Sequence, residues 1–133
     1  MNGTSQAIHA MLMTALEPGA RLLLPRNAHR SVAGGLILGG IEAVYLQPEY
    51  SAEFGIQLQV TPAAVAAALD KDSSIKAVLL TSPNYYGVAA DVAAIAQICH
   101  ERGIVLLVDE AHGPHLGLSK TLPPSALQCG ADA

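Results

Sequence analysis

Ile104-Val-Leu-Leu-Val-Asp-Glu-Ala-His-Gly113 is the stretch whose reading decides the fold. Five apolar residues, three of them β-branched, end abruptly in two carboxylates, an alanine, a histidine and a glycine. Such a run predicts a strand, Ile104 to Val108, buried on both faces as in a parallel sheet. Open α/β sheets bind their ligands outside the carboxyl ends of strands. Asp109 stands at that end and is the first candidate for chemistry.

Working outward, the chain alternates strand and helix. Ser5 to Leu16 reads as a helix with Ile8, Met11, Leu12 and Ala15 on one stripe, capped by the hydroxyls of Thr4 and Ser5 and stopped by Pro18-Gly19. Arg21 to Leu24 is a strand, Ala28 to Leu38 a helix weakened by Gly34 and Gly35, and Glu42 to Leu46 a strand. Glu49 to Val60 reads as an irregular connection. Thr61 caps a helix with Pro62 at its first position, running to about Leu69. Ile75 to Leu80 is an apolar strand, Ser82 to Gly87 a turn, and Asp91 caps a helix that ends at Gly103. Beyond Gly113 a loop is expected, with a short helix after Pro123-Pro124.

This alternation predicts right-handed crossovers, a mostly parallel sheet and a three-layer αβα class, in one domain over residues 1–133. The chain opens on a helix cap with no strand before it. It closes on Cys129-Gly-Ala-Asp-Ala133, which reads as the turn into another strand, so a partial domain cut at both ends is expected.

A hydrophobic fraction of 51% against 14% charged residues argues for a packed interior and against disorder. The net charge of −4, with Lys and Arg scattered, excludes the basic footprint of a nucleic-acid or anionic-membrane binder. The longest apolar stretch, around Val32 to Ile41, is too short to span a bilayer, and the first residues lack the charged start of a signal peptide. Two cysteines make no disulfide framework, and Cys99 falls on an apolar helix face, so a reducing cytoplasm is the expected compartment.

Several residues can carry chemistry, each with a plainer alternative. An ionised Asp109 at the end of a buried strand calls for a cationic partner, such as a cofactor's protonated ring nitrogen; it equally suits an acid that caps a loop. Asn2-Gly3-Thr4-Ser5-Gln6 at a helix start offers free N–H groups and hydroxyls to a phosphate, or an ordinary cap. His29, just past a strand, can stack on a planar ligand or lie on the surface. His112 and His115 form an HxxH pair in a loop, a spacing too unconstrained to predict a metal site. The letters DEAH also occur in nucleotide-dependent helicases, but those need a phosphate loop ending in Gly-Lys, and no Gly-Lys pair occurs here.

In order, NGTSQA, PRNAHRS, TSPNYYGV, VDEAHGPH and LPPSALQCGAD resemble the major domain of the ornithine/lysine/arginine decarboxylases. The resemblance covers nearly the whole chain. It implies the large domain of a pyridoxal-phosphate enzyme of the aspartate-aminotransferase fold, and decarboxylation of a basic amino acid. Thr4, Ser5 and Gln6 match the segment that binds the cofactor phosphate. His29 matches the histidine stacked on the pyridine ring, and Asp109 the aspartate paired with the ring nitrogen. Ala111 matches the small residue on the ring's other face, and His112 a histidine close to the reacting atoms. Asp109 and His112 are thus the implied catalytic residues; no metal is implied. Full-length relatives are dimers or larger, which implies a homo-oligomer.

One departure matters. The family's Schiff-base lysine follows a Ser/Thr-His pair, whereas Lys71, Lys76 and Lys120 here have no such context. The cofactor site is therefore expected to be incomplete and the chain inactive as it stands. Two other readings stay open: another enzyme of the same fold, such as an aminotransferase or desulfurase, and a non-catalytic remnant.

Overall fold

The computed structural model describes residues 3–133. Asn2 of the first motif therefore lies outside the described residues. Ten helices and strands follow one another among the described residues. They are α1 (Thr4–Ala15), β1 (Arg21–Pro25), α2 (Arg30–Gly39), β2 (Glu42–Leu46), β3 (Tyr50–Ser51), β4 (Ile56–Gln57), α3 (Pro62–Lys71), β5 (Ile75–Thr81), α4 (Val92–His100) and β6 (Val105–Asp109). A single 3₁₀ turn, Leu116–Leu118, follows.

β2, β1, β5 and β6 form one sheet in that order, every pairing parallel. Side chains alternate across it, as the two-residue period of a strand requires. Leu22, Leu24, Leu79 and Leu107 pack with Ile8, Leu12, Val32 and Leu36 beneath α1 and α2. Leu23, Val78, Leu80, Leu106 and Val108 pack with Val65, Leu69, Ile95 and Cys99 beneath α3 and α4. Two apolar layers flanking one sheet give the expected αβα architecture. The apolar runs read continuously because both of their faces are covered.

The order of strands also locates a switch point. From the centre, β1 leads outward to β2 through α2 on one face, and β5 leads outward to β6 through α4 on the other. The connections diverge between β1 and β5, leaving a crevice at the carboxyl ends of those strands.

Local chemistry accounts for most helix ends. Thr61 Oγ1 accepts from the Ala64 N–H at 3.1 Å, and Asp91 Oδ1 from the Ala94 N–H at 3.1 Å, each satisfying an N–H that the first helical turn leaves free. α4 stops at His100, three residues before Gly103, because the chain turns there through Gly103 at φ 65.

Three expectations change. α2 begins at Arg30 rather than Ala28, because His29 is extended and acts as its cap. The connection expected to be irregular holds a small antiparallel hairpin, β3 with β4, turned at Gly55 with φ 66. Strands of two residues are too short to show an alternating pattern. The helix expected after Pro123-Pro124 is instead a set of turns, in which the Cys129 N–H donates to the carbonyls of Ser125 and Ala126.

At the outer edge of β6, the Asp132 N–H donates to the Leu106 carbonyl at 2.9 Å and the Val108 N–H to the Ala133 carbonyl at 2.8 Å. Among the described residues no helix is long and apolar enough to cross a membrane.

Candidate cofactor site

The loops leaving β1, β5 and β6 meet at the carboxyl edge of the sheet. Asp109 ends β6 in register with Thr81, the last residue of β5. The Ser82 N–H donates to the Asp109 carbonyl at 3.0 Å and extends that ladder one step. Asp109 is only 4% exposed. Its Oδ1 accepts from the Ala111 N–H at 3.1 Å, which fixes the carboxylate plane. No described residue donates to Oδ2.

The rest of the opening stretch is shaped around this carboxylate. Glu110 Oε1 accepts from the Ala126 N–H at 2.7 Å and ties the loop to the tail. A Cβ at Gly113 would stand 2.6 Å from Glu110 Cγ and 2.8 Å from Pro83 Cδ. Only glycine lets this loop lie against the loop from β5, which starts with the cis Ser82–Pro83 bond.

His29 is exposed and caps α2. Its Nδ1 accepts from the Ser31 N–H at 3.2 Å and lies 2.8 Å from Ser31 Oγ, which places the neutral ring's proton on Nε2. Opposite, α1 begins at Thr4 directly after Gly3, whose φ is 83. The caps expected from Thr4 and Ser5 are not formed: those residues lie inside the helix, and Gly3 has no side chain to offer its first-turn N–H groups. Thr4, Ser5 and Gln6 are exposed at that amino end, where the helix dipole favours an anion.

Two cavities flank the Thr81–Asp109 pair. The first, of about 360 Å³, is lined by His29, Thr81, Asn84, Tyr85, Tyr86 and His112, among others. The second, of about 570 Å³, is lined by Thr4, Asp109, Glu110 and Ala111, among others. The structure therefore brings Thr4, Asp109 and Ala111 together in one hollow, and His29 and His112 together in its neighbour. Ser5 and Gln6 line neither cavity.

Sequence reasoning passed over the polar scaffold of the first cavity. Asn84, 5% exposed, donates through Nδ2 to the carbonyls of Gln57 and Leu58. Its Oδ1 accepts from the Tyr86 and Val88 N–H groups. Gln59 Nε2 donates to the carbonyls of Thr81 and Val88. These bonds clamp the β3–β4 hairpin onto the Ser82–Gly87 turn and bring Tyr50 to the cavity wall. No periodicity reveals such contacts. The one available signal for Thr81 was its rank: a polar residue ending a buried strand, as Asp109 does.

Neither cavity is lined by a lysine. Burial pushes the Cys129 thiol up, and the Glu110 and Asp91 carboxylates push it further, which opposes thiolate formation. Among the described residues no group of three His, Cys, Asp or Glu is placed to hold a metal ion.

The donor set suits a phosphorylated, planar, nitrogen-containing ring. Across the two hollows it offers a helix amino end, a buried carboxylate with one oxygen unpartnered among the described residues, a flat imidazole and a small alanine. A buried hydroxyl, Thr81 Oγ1, also lacks a partner among the described residues.

Comparison with known proteins gives the chain a family and a shared fold. A family model described as Orn/Lys/Arg decarboxylase, major domain, matches residues 1–133. An arginine decarboxylase of Halalkalibacterium halodurans is 40% identical over 132 residues, covering 99% of this chain and 27% of that protein. The chain thus spans about a quarter of that relative's length. Among solved structures, the methionine aminotransferase YbdL of Escherichia coli superposes with TM-score 0.74 at 20% identity, over 94% of this chain and 32% of that one. The PLP-bound C–S lyase of Staphylococcus hominis superposes with TM-score 0.66 at 14% identity, over 80% of this chain and 27% of that one. At such identities the superpositions establish the shared fold.

Proposed function

The chain belongs to the Orn/Lys/Arg decarboxylase family, and from that premise we propose that its carboxyl-edge site binds pyridoxal phosphate in the service of decarboxylating a basic amino acid. Arginine is the first candidate substrate, because the matched relative bears that name. The observation that carries the reading is Asp109: a buried carboxylate, fixed through Oδ1, whose Oδ2 has no partner among the described residues.

In this reading the first-turn N–H groups of Thr4, Ser5 and Gln6, with the hydroxyls of Thr4 and Ser5, hold the phosphate. Asp109 keeps the ring nitrogen protonated by pairing with it. A protonated pyridine ring, when bound, supplies the electron sink that decarboxylation at Cα requires. His29 presents a flat face to the ring with its plane set by Ser31, and Ala111 leaves room on the other side. His112 stands beside Tyr85, with ring centroids 6.2 Å apart, where an imidazole can hold or move a proton.

With no lysine lining either cavity, the reading for the chain as it stands is binding without turnover. Two free cysteines accord with a reducing, cytoplasmic compartment. A homo-oligomer and a role in polyamine synthesis belong to the same proposal.

Titration of the chain with pyridoxal phosphate, followed by absorbance, tests it. Saturable binding is expected, weakened about tenfold or more by Asp109→Asn, since a hydrogen bond to a charged group contributes about 1.5–3 kcal/mol. Absence of saturable binding, or an Asn variant that binds equally well, would sink the reading. Carbon dioxide release from arginine, lysine or ornithine by this chain would refute the inactive assignment.

A further inference from the structure

We propose that Thr81 is a positioning residue for the cofactor ring, its hydroxyl donating to the ring's phenolic oxygen while Asp109 takes the ring nitrogen. The inference rests on the cofactor reading above.

Thr81 and Asp109 are paired in register at the carboxyl ends of adjacent parallel strands. Their side chains therefore leave the sheet on the same face, separated by one strand spacing, about 4.8 Å. On the bound ring the phenolic oxygen sits on the carbon next but one to the nitrogen, a separation that donors on neighbouring strands can span. Thr81 lines the first cavity and Asp109 the second, so the pair forms the ridge between them.

Thr81 is 8% exposed, and its Oγ1 is buried without a hydrogen-bond partner among the described residues. Buried hydroxyls are normally satisfied, so this one calls for an explanation. The surroundings offer none. The Thr81 carbonyl is held by Gln59 Nε2 at 3.0 Å, which fixes the strand end. The neighbouring Ser82 hydroxyl is already committed, accepting from the Ala90 N–H at 3.0 Å. Asn84 is occupied on both side-chain atoms. Thr81 Oγ1 is thus the buried hydroxyl at this rim left without a partner among the described residues. The other unpartnered buried atom, Arg21 Nε, is at the opposite end of the sheet and faces the Glu42 carboxylate at 3.7 Å.

The test compares wild type, Thr81→Val and Thr81→Ser in titrations with pyridoxal phosphate and with its 3-deoxy analogue, which lacks the phenolic oxygen. Val keeps the shape and removes the hydroxyl; Ser keeps the hydroxyl. Thr81→Val is expected to bind pyridoxal phosphate about five- to tenfold more weakly and to shift the near-ultraviolet band of the bound cofactor. Thr81→Ser restores both, and the 3-deoxy analogue binds wild type and Thr81→Val alike. Without ligand, Thr81→Val unfolds at no lower urea concentration than wild type, because it discards a hydroxyl that had no partner. Equal binding of pyridoxal phosphate by wild type and Thr81→Val would overturn the inference and leave the site reading standing, as would an equal loss for both ligands. A wild-type chain that binds neither ligand would overturn both.

Discussion

His29 shows how one residue can hold two tasks through two parts of its ring. Nδ1 caps α2 by accepting from the Ser31 N–H, while the ring face is left exposed towards the first cavity. The two tasks separate by substitution. His29→Ala removes the cap and is expected to lower stability by about 1 kcal/mol in urea unfolding. His29→Asn supplies an equivalent cap and should unfold like wild type. It loses the aromatic face, however, and pyridoxal phosphate should bind it about fivefold more weakly, the scale of an aromatic contact. An Asn variant with wild-type affinity would reduce His29 to a cap. Asp109 and Thr81 divide labour differently: each stands at a strand end, and its side chain is presented by the sheet rather than by a loop.

At the scale of elements, the pair α1 and α2 explains a feature that sequence pattern misjudged. Gly34 and Gly35 look like defects in a helix, since glycine costs about 1 kcal/mol there relative to alanine. They are instead where α1 comes close. A Cβ on Gly35 would meet Leu12 Cδ1 at 2.6 Å, and one on Gly34 would meet His9 Nε2 at 3.0 Å. Leu12 is fully buried, and His9 Nε2 lies 3.0 Å from the Ser31 carbonyl, so neither gives way freely. Gly35→Ala is therefore expected to destabilise by about 1 kcal/mol net, overpacking outweighing the gain in helix propensity. A stabilised variant in urea unfolding would refute that account. The contrast marks what the sequence could disclose. Strands β1, β5 and β6 were legible because burial on both faces leaves an unbroken apolar run, and α3 and α4 because Thr61 and Asp91 announce their caps. The β3–β4 hairpin was not, because Asn84, far along the chain, holds it through the Gln57 and Leu58 carbonyls. In the candidate site, Asp109 could be placed at a strand end and His29 just past one by counting. Their division between two cavities depends on loop packing, with Gly113 against Pro83, that no local pattern encodes.

For the molecule as a whole, the sheet separates two functions by its ends. Candidate chemistry gathers at the carboxyl ends, while the amino ends carry structural ion pairs such as Arg21 with Asp72, whose carboxyl is lowered first by hydrogen bonds from Ser74. The outer edge of β6 carries a third arrangement. Asp132 Oδ2 accepts from the Leu106 N–H at 2.8 Å and lies 3.2 Å from His100 Nε2, joining α4, β6 and the segment beside them. The Leu106 N–H, followed by the His100 hydrogen bond and charge, holds the Asp132 carboxyl below its ordinary value of 3.8. A carboxyl lowered in the folded state binds its proton more readily when unfolded. Its contribution to stability is therefore present above about 3.8 and lost as pH falls through the lower folded value. Urea midpoints of wild type should drop as pH is taken below that point, while Asp132→Asn, which has no proton to gain, should start lower at neutral pH and fall less steeply. Because Asp132 is largely exposed, the difference is a modest one, best read as a change of slope between the two curves. Parallel curves for the two chains would show that Asp132 does not tie the edge of β6 through its charge, and would leave the backbone bonds to Leu106 and Val108 as the whole of that attachment.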